Sequence, residues 1–120
     1  MAKILVVDDD TLVRTSLSYA LEDAGHHVVQ AGNGDEGLAA LDRESFDAVV
    51  LDPPRAGAQA QAEMLARAKV PAVVMVSCNP ATMARDCRIL VDAGFALGPV
   101  TPVDQFLYAP HVEAVTVLTR

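Results

Sequence analysis

Apolar residues fall along this chain in two alternating registers. Short unbroken runs, Ile4-Leu5-Val6-Val7, Val49-Val50-Leu51 and Val73-Val74-Met75-Val76, are rich in β-branched side chains. That is the pattern of strands buried on both faces of a parallel sheet. Between the runs, apolar residues recur at three- and four-residue spacing. Val13, Leu17, Ala20, Leu21 and Ala24 form one such set, Leu38 and Leu41 a second, and Met83, Cys87, Leu90 and Val91 a third. Each set predicts the buried stripe of an amphipathic helix.

The punctuation agrees with this division. Asp10 or Thr11 can cap the first helix, and Gly25 sits where its C-terminal cap belongs. His27 to Gln30 reads as a short second strand, Gly32-Asn33-Gly34 as a turn, and Asp35 as the opening of the next helix. The third strand, Phe46 to Asp52, must stop at Asp52 because Pro53 and Pro54 cannot donate to a ladder. A weak alanine-rich helix through Met64, Leu65 and Ala68 precedes the fourth strand, Ala72 to Ser77. Asn79-Pro80 is a strong helix start, with Asn as cap and Pro at the first helical position, and Gly94 ends that helix.

Strand and helix alternate to this point, which implies a parallel sheet with right-handed crossovers: an α/β, three-layer, doubly wound fold. The alternation then fails. Leu97 to Val103 is broken by Pro99 and Pro102, as befits an edge strand. Val112 to Thr119 comes after a short loop with no helix, so it must run antiparallel to its predecessor. All 120 residues fit one domain with a single core.

Composition narrows the function classes. The 16 acidic and 9 basic residues leave a net charge of −7, with no Lys/Arg run, which argues against nucleic-acid binding. Cys78 and Cys87 have no metal or disulfide spacing, and the reducing cytosol is the natural compartment. The longest apolar run is too short to span a bilayer, and the N-terminus is not that of a signal peptide. A cytoplasmic location with no membrane partner is expected. His26, His27 and His111 have no ligand partners at metal spacing, and Cys87 belongs to the core.

Three consecutive carboxylates after a buried strand need a physical reason. One can cap the helix; the others repel unless a cation neutralises them. If the first and third strands are neighbours, Asp8, Asp9 and Asp52 meet at the carboxyl edge of the sheet, where open α/β folds place ligands. Hard oxygen ligands without a fixed cage suit Mg²⁺. A helix cap with two solvated acids accounts equally well for the spacing.

Lys3 to Asp10, Leu12-Val13-Arg14, Gly25 to Val29 and Gly34 to Leu38 resemble the receiver domain of bacterial response regulators, over roughly residues 1–51. The resemblance implies Mg²⁺ at Asp8, Asp9 and Asp52, phosphoryl acceptance at Asp52 and a sensing hydroxyl at Ser77. It also implies a lysine at the end of the fifth strand. The two lysines of this chain, Lys3 and Lys69, stand elsewhere, and Pro53-Pro54-Arg55-Ala56-Gly57 is not a receiver loop.

From about residue 46 onward a second resemblance takes over. Asp52 to Gly57, Val76 to Thr82, Pro102 to Phe106 and His111-Val112-Glu113 are similar to the C-terminal half of the S-adenosylmethionine-dependent RNA 5-methyluridine methyltransferases. It implies Cys78 as the nucleophile that adds to uracil, Glu113 as the base, and Pro53, Pro54 and Arg55 as lining of the base pocket. A thiol at a helix N-terminus is suitably placed for activation; a small buried cysteine and a surface glutamate are the plainer account. The methyltransferase tail also implies that the last strand inserts, giving strand order 2-1-3-4-6-5 in a flavodoxin-like/Rossmann-like hybrid. Its cofactor site is missing, because the first turn is Asp8-Asp9-Asp10 rather than glycine-rich and the second strand ends Gln30-Ala31-Gly32 without an acid.

The resulting expectation is a recombined or engineered chimera of residues 1–51 and 52–120. It has no intact native activity, no required cofactor and no enzymatic turnover, and Mg²⁺ binding is open to it. The alternatives are a degenerate receiver that keeps Mg²⁺ and phosphoacceptance at Asp52, and vestigial uridine chemistry at Cys78.

Overall fold

In the computed structural model, residues 1–52, 59–77, 79–103 and 113–120 are described, the side chains of Val103 and Glu113 excepted. The described elements are β1 (Lys3–Asp8), α1 (Thr11–Asp23), β2 (His27–Ala31), α2 (Gly34–Arg43), β3 (Ala48–Asp52) and α3 (Gln59–Arg67). After them come β4 (Ala72–Ser77), α4 (Pro80–Asp92), β5 (Ala96–Leu97), β6 (Thr101–Val103) and β7 (Glu113–Thr119).

These strands form one sheet in the order β2-β1-β3-β4-β7-β5, with β6 also paired to β7. β1, β2, β3 and β4 are mutually parallel, as their continuous apolar runs require. β7 runs antiparallel to β4 on one side and to β5 and β6 on the other. The expected fifth strand is thus two short pieces, and the expected sixth is β7, inserted between them and β4. The predicted order stands.

The break has a local cause. Leu97 pairs with Leu118 and Thr101 with Val115, so Gly98, Pro99 and Val100 face only Thr116 and Val117, a bulge with one extra residue. Gly98 N–H donates to the Val117 carbonyl at 2.8 Å, and Thr116 Oγ1 donates to the Gly98 carbonyl at 3.1 Å. A Cβ on Gly98 would stand 2.6 Å from that Val117 oxygen, so glycine is needed for the approach.

The layers are unequal. Leu5, Val49, Leu51, Val73, Met75 and Leu118 point to one face, where Ala40 of α2, Ala62 and Leu65 of α3, and Met83, Cys87 and Leu90 of α4 complete the main core. Ile4, Val6 and Val50 point to the other, where Leu17 and Leu21 of α1 pack. Two expected stripes are corrected. In α1 the buried residue is Ser18, while Val13 is 43% exposed and Ala20 lies on the surface. In α4, Val91 is at the surface and Asp86 is fully buried, because the helix turns the line through Met83, Asp86, Cys87 and Leu90 toward the sheet.

Helix ends follow the sequence closely. Asp10, not Thr11, caps α1, its Oδ1 accepting from Leu12 N–H at 3.0 Å and Val13 N–H at 3.2 Å. Asn79 caps α4 with Pro80 at its first turn. α2 opens one residue before Asp35, capped by Asn33, whose side chain accepts from Glu36 N–H at 2.9 Å. Gly25 and Gly94 close α1 and α4 with φ of 96° and 109°.

The C-terminal residue is a clamp. The Arg120 guanidinium donates to the carbonyls of Leu65, Ala66 and Ala68 at the end of α3, and stacks 4.2 Å from the ring centroid of buried Phe95. A cation that satisfies orphan carbonyls at a helix C-terminus ties β7 to α3. Arg120→Ala is therefore expected to lower the unfolding free energy by about 1–3 kcal/mol, read from the urea midpoint. Arg120→Lys should recover less than half of that, since lysine lacks the planar fork.

Candidate functional site

The carboxyl edge of the sheet gathers the chemistry. β1 and β3 are adjacent and Asp8 is the register partner of Asp52, as the sequence led us to expect. Asp8 is 3% exposed. Its Oδ1 accepts from Asp10 N–H at 2.8 Å, while Oδ2 is buried with no hydrogen-bond partner among the described residues. Burying a carboxylate oxygen without a partner is costly, so this atom marks a place for a cation or a bound water. Asp52 is half-buried beside it, and Asp9 is exposed in the turn.

Among the described residues no three acids, histidines or cysteines converge closely enough to form a metal cage. Mg²⁺ needs no cage: it keeps several waters and takes one or two carboxylates. The pair Asp8 and Asp52, with its orphaned oxygen, fits that requirement, and Asp9 stands in the adjoining turn.

Ser77 lies at the same edge and is 5% exposed. Its hydroxyl is committed, donating to the Asn79 carbonyl at 3.0 Å and accepting from Asn79 N–H at 3.1 Å. It serves the turn into α4. Across from Ser77, Ala114 is its partner on antiparallel β7, with Glu113 one residue nearer the strand's start. Both lysines are at the opposite, amino edge. Lys3 opens β1 and pairs with Glu44 at 2.6 Å, its ammonium holding the Glu44 carboxyl below the usual carboxylate range, and Lys69 lies just after α3.

Arg14 organises this edge, a role that its place within a sequence motif does not disclose. Its Nη1 donates to the Asp8 carbonyl at 2.8 Å and its Nε to Gln30 Oε1 at 3.3 Å. The side chain bridges the ends of β1 and β2, the crevice a Rossmann-type fold uses for its cofactor. Beside it Glu36 accepts from Gly32 N–H at 2.6 Å.

The methyltransferase-like residues divide differently. Cys78, Pro53, Pro54, Arg55 and the Glu113 side chain lie outside the described residues. Cys87 is buried in the core, and burial, with a smaller contribution from neighbouring Asp86, raises its thiol above the ordinary value of 9.0. Asp86 itself is paired with Arg85 at 3.0 Å. A cavity of about 350 Å³ lies away from this edge, between α2 and α3, over Phe46 and Met64 and beside Arg67 and Lys69. No described helix is long and apolar enough to cross a membrane.

An open doubly wound sheet with acids at the ends of β1 and β3 defines a class: α/β domains that bind ligands at the carboxyl edge of the sheet. The chain belongs to the response regulator receiver domain family, whose model matches residues 4–95. The match runs past Asp52 to the start of β5. The chemotaxis protein CheY4 of Vibrio cholerae superposes with a TM-score of 0.61 at 28% identity, covering 74% of this chain and 80% of that one.

A second likeness covers much of the same chain. An uncharacterized RNA methyltransferase of Mesorhizobium japonicum is 57% identical over 132 aligned residues, taking in 86% of this chain and 32% of the relative. The chain spans a third or less of the length of such curated relatives. A putative methyltransferase of Thermoplasma acidophilum superposes over 99% of this chain and 68% of its own, with a TM-score of 0.64 at 14% identity, a likeness of fold alone.

Two of the buried polar and thiol groups, Asp8 and Cys87, can be probed directly. Asp8→Asn removes a buried charge with an orphaned oxygen and should raise the unfolding free energy by about 1 kcal/mol in metal-free buffer, seen as a higher urea midpoint. Cys87, with its raised pKa, is a protonated thiol at pH 8 and should resist thiol reagents until the chain unfolds. Because the folded state disfavours its thiolate, stability should fall as pH climbs above about 9, and Cys87→Ala should flatten that alkaline limb.

Proposed function

We propose that this chain is a recombined hybrid domain, receiver-derived through β3 and methyltransferase-derived in its later strands, that performs neither phosphoryl signalling nor methyl transfer. It keeps the receiver's divalent-cation site. The observation that carries the reading is the direction of β7. A receiver needs the end of a parallel strand beside β4, carrying a lysine toward the phosphoryl group. Here the strand beside β4 is antiparallel, so its beginning, Glu113-Ala114, occupies that edge. An acid opens the strand where the cation should stand, and the chain's lysines are at the other edge. Phosphorylation of Asp52 would add negative charge to an edge that already holds Asp8 and Asp9, with no lysine there to pair with the phosphoryl oxygens.

Methyl transfer fails for a separate reason. The crevice over the ends of β1 and β2 is bridged by Arg14 and flanked by Asp8, Asp9 and Asp10. No glycine-rich turn receives a cofactor there, and the acids repel a carboxylate. Mg²⁺, when bound, would neutralise the acids at this edge. The residues that would hold it are Asp8 and Asp52, with Asp9 beside them. Asp8 presents its orphaned Oδ2, and the Asp10 N–H fixes Oδ1.

The second reading is a degenerate receiver in which phosphoacceptance survives. It is favoured by the intact register of Asp8 and Asp52. One set of measurements separates the two. Titrating Mg²⁺ to millimolar concentration should shift the amides of Asp8, Asp9 and Asp52 and raise the melting temperature, and Asp8→Asn should abolish both effects. Adding beryllofluoride with Mg²⁺ should produce no further shift at Asp52 or Ser77, and calorimetry with S-adenosylmethionine should show no heat. A beryllofluoride response promotes the degenerate receiver. A methyl-donor isotherm overturns the hybrid reading altogether.

A further inference from the structure

The two faces of the sheet are covered unequally. Among the described elements, three helices, α2, α3 and α4, close one face, whereas α1 alone lies on the other, touching β1 and β2. Beyond it on that face run Ala72, Val74 and Val76 of β4 and Val115 and Val117 of β7. The pairs Val74–Val117 and Val76–Val115 stand side by side. Val117 is 43% exposed, the other four are half-buried, and none of the five is charged. With Thr119 and Ala96 they form an apolar lane.

Its dimensions match one object. β7 has 7 residues. At roughly 3.3 Å per residue the lane is about 23 Å long, and two to three strands give it a width of about 10–14 Å. A helix is about 10 Å across and rises 1.5 Å per residue, so one of about 15 residues covers the lane.

Charge selects the kind of helix. The described basic residues Arg43, Arg67, Lys69, Arg85, Arg88 and Arg120 belong to the α2–α3–α4 side or its helix ends, and Lys3 is paired with Glu44 at the end of α2. On the α1 side the helix carries one base, Arg14, already committed to the Asp8 carbonyl and Gln30. Against it stand exposed Asp9, Asp10, Glu22 and Asp23, with Asp52 at the carboxyl end of the neighbouring strand. A second copy would bring two acid-rimmed faces together, which like charge opposes.

We propose that this lane is a docking surface for a cationic amphipathic α-helix of a partner protein, its apolar stripe on Val74, Val76, Val115 and Val117 and its basic residues over the acidic rim. Helix-in-groove recognition of this kind takes affinity from the buried stripe and orientation from the rim.

The test titrates a designed helix of about 15 residues, leucine along one stripe and lysine elsewhere, into the isotopically labelled chain. Saturable amide shifts centred on Val74, Val76, Val115 and Val117 are expected, with a glutamate-for-lysine version at least about tenfold weaker. Val117→Asp and Val117→Lys should each weaken binding by about tenfold or more while the amide spectrum stays dispersed. Should either variant unfold, Val117→Thr replaces it, with a smaller loss in the same direction. The proposal is overturned by an absence of shifts at millimolar peptide, or by shifts centred elsewhere. Binding to Val117→Asp as tight as to the parent would overturn it too, since charge alone would then suffice. So would sedimentation of the free chain as a dimer through this face.

Discussion

The direction of a single strand governs what this domain can be. β7 pairs with β4 over six residues, from Ala72–Thr119 to Ser77–Ala114, so every backbone group on that side of β4 is engaged by an antiparallel neighbour. The ladder is reinforced by burial, since Leu118 is 0% and Thr116 1% exposed. Turning β7 around would require a crossover helix to return the chain to the same end of the sheet, and the segment between β6 and β7 is too short for one. With β7 in place, β5 and β6 can only be edge pieces, and the bulge at Gly98 reconciles their two registers with one partner strand.

The same constraint separates the two halves of the chemistry. Asp8 and Asp52 depend only on β1 and β3, which lie on the far side of β4 from the inserted strand. Their register, their burial and the cap that Asp10 supplies are indifferent to the strands beyond β4. The complement they require is a cation carried in by the strand next to β4, and that is the position β7 occupies. Among the described residues the acids thus stand at one edge and the lysines at the other, a separation a parallel α/β sheet permits because each βαβ unit is locally closed.

Much of the fold could be read from residue pattern. Continuous β-branched runs identified β1, β3 and β4, the cap residues Asp10 and Asn79 placed two helix starts, and the absence of a helix before Val112 gave the sense of β7. What escaped was rotational detail within helices. Val13 and Ala20 share a spacing with Leu17 and Leu21, yet α1 covers only β1 and β2, so its contact stripe is narrower than the apolar one. In α4 the line Met83, Asp86, Cys87, Leu90 has three- and four-residue spacing, but an aspartate within it reads as a solvent-facing residue. Its burial is tolerated because Arg85 pairs with it. At the site, the adjacency of Asp8 and Asp52 was legible because strand order is fixed by topology. The bridging role of Arg14 was not, since a long side chain's destination depends on the distance between two strand ends.

The overlap of the two likenesses has its own physical basis. The receiver match extends to residue 95 and therefore includes β4 and α4, where the methyltransferase likeness is also expected from Val76-Ser77-Cys78-Asn79-Pro80. Both kinds of domain demand the same things there: a buried strand, a polar turn, an asparagine cap with proline in the first turn, and a stripe that meets the sheet. A β-α unit meeting those demands satisfies the core of either kind of domain, because packing reads volume and pattern. Beyond α4 the demands diverge. One architecture calls for another parallel strand and a helix over the α1 face; the other calls for an antiparallel pair. The chain takes the second course, and among the described elements the α1 face carries one helix where the opposite face has three.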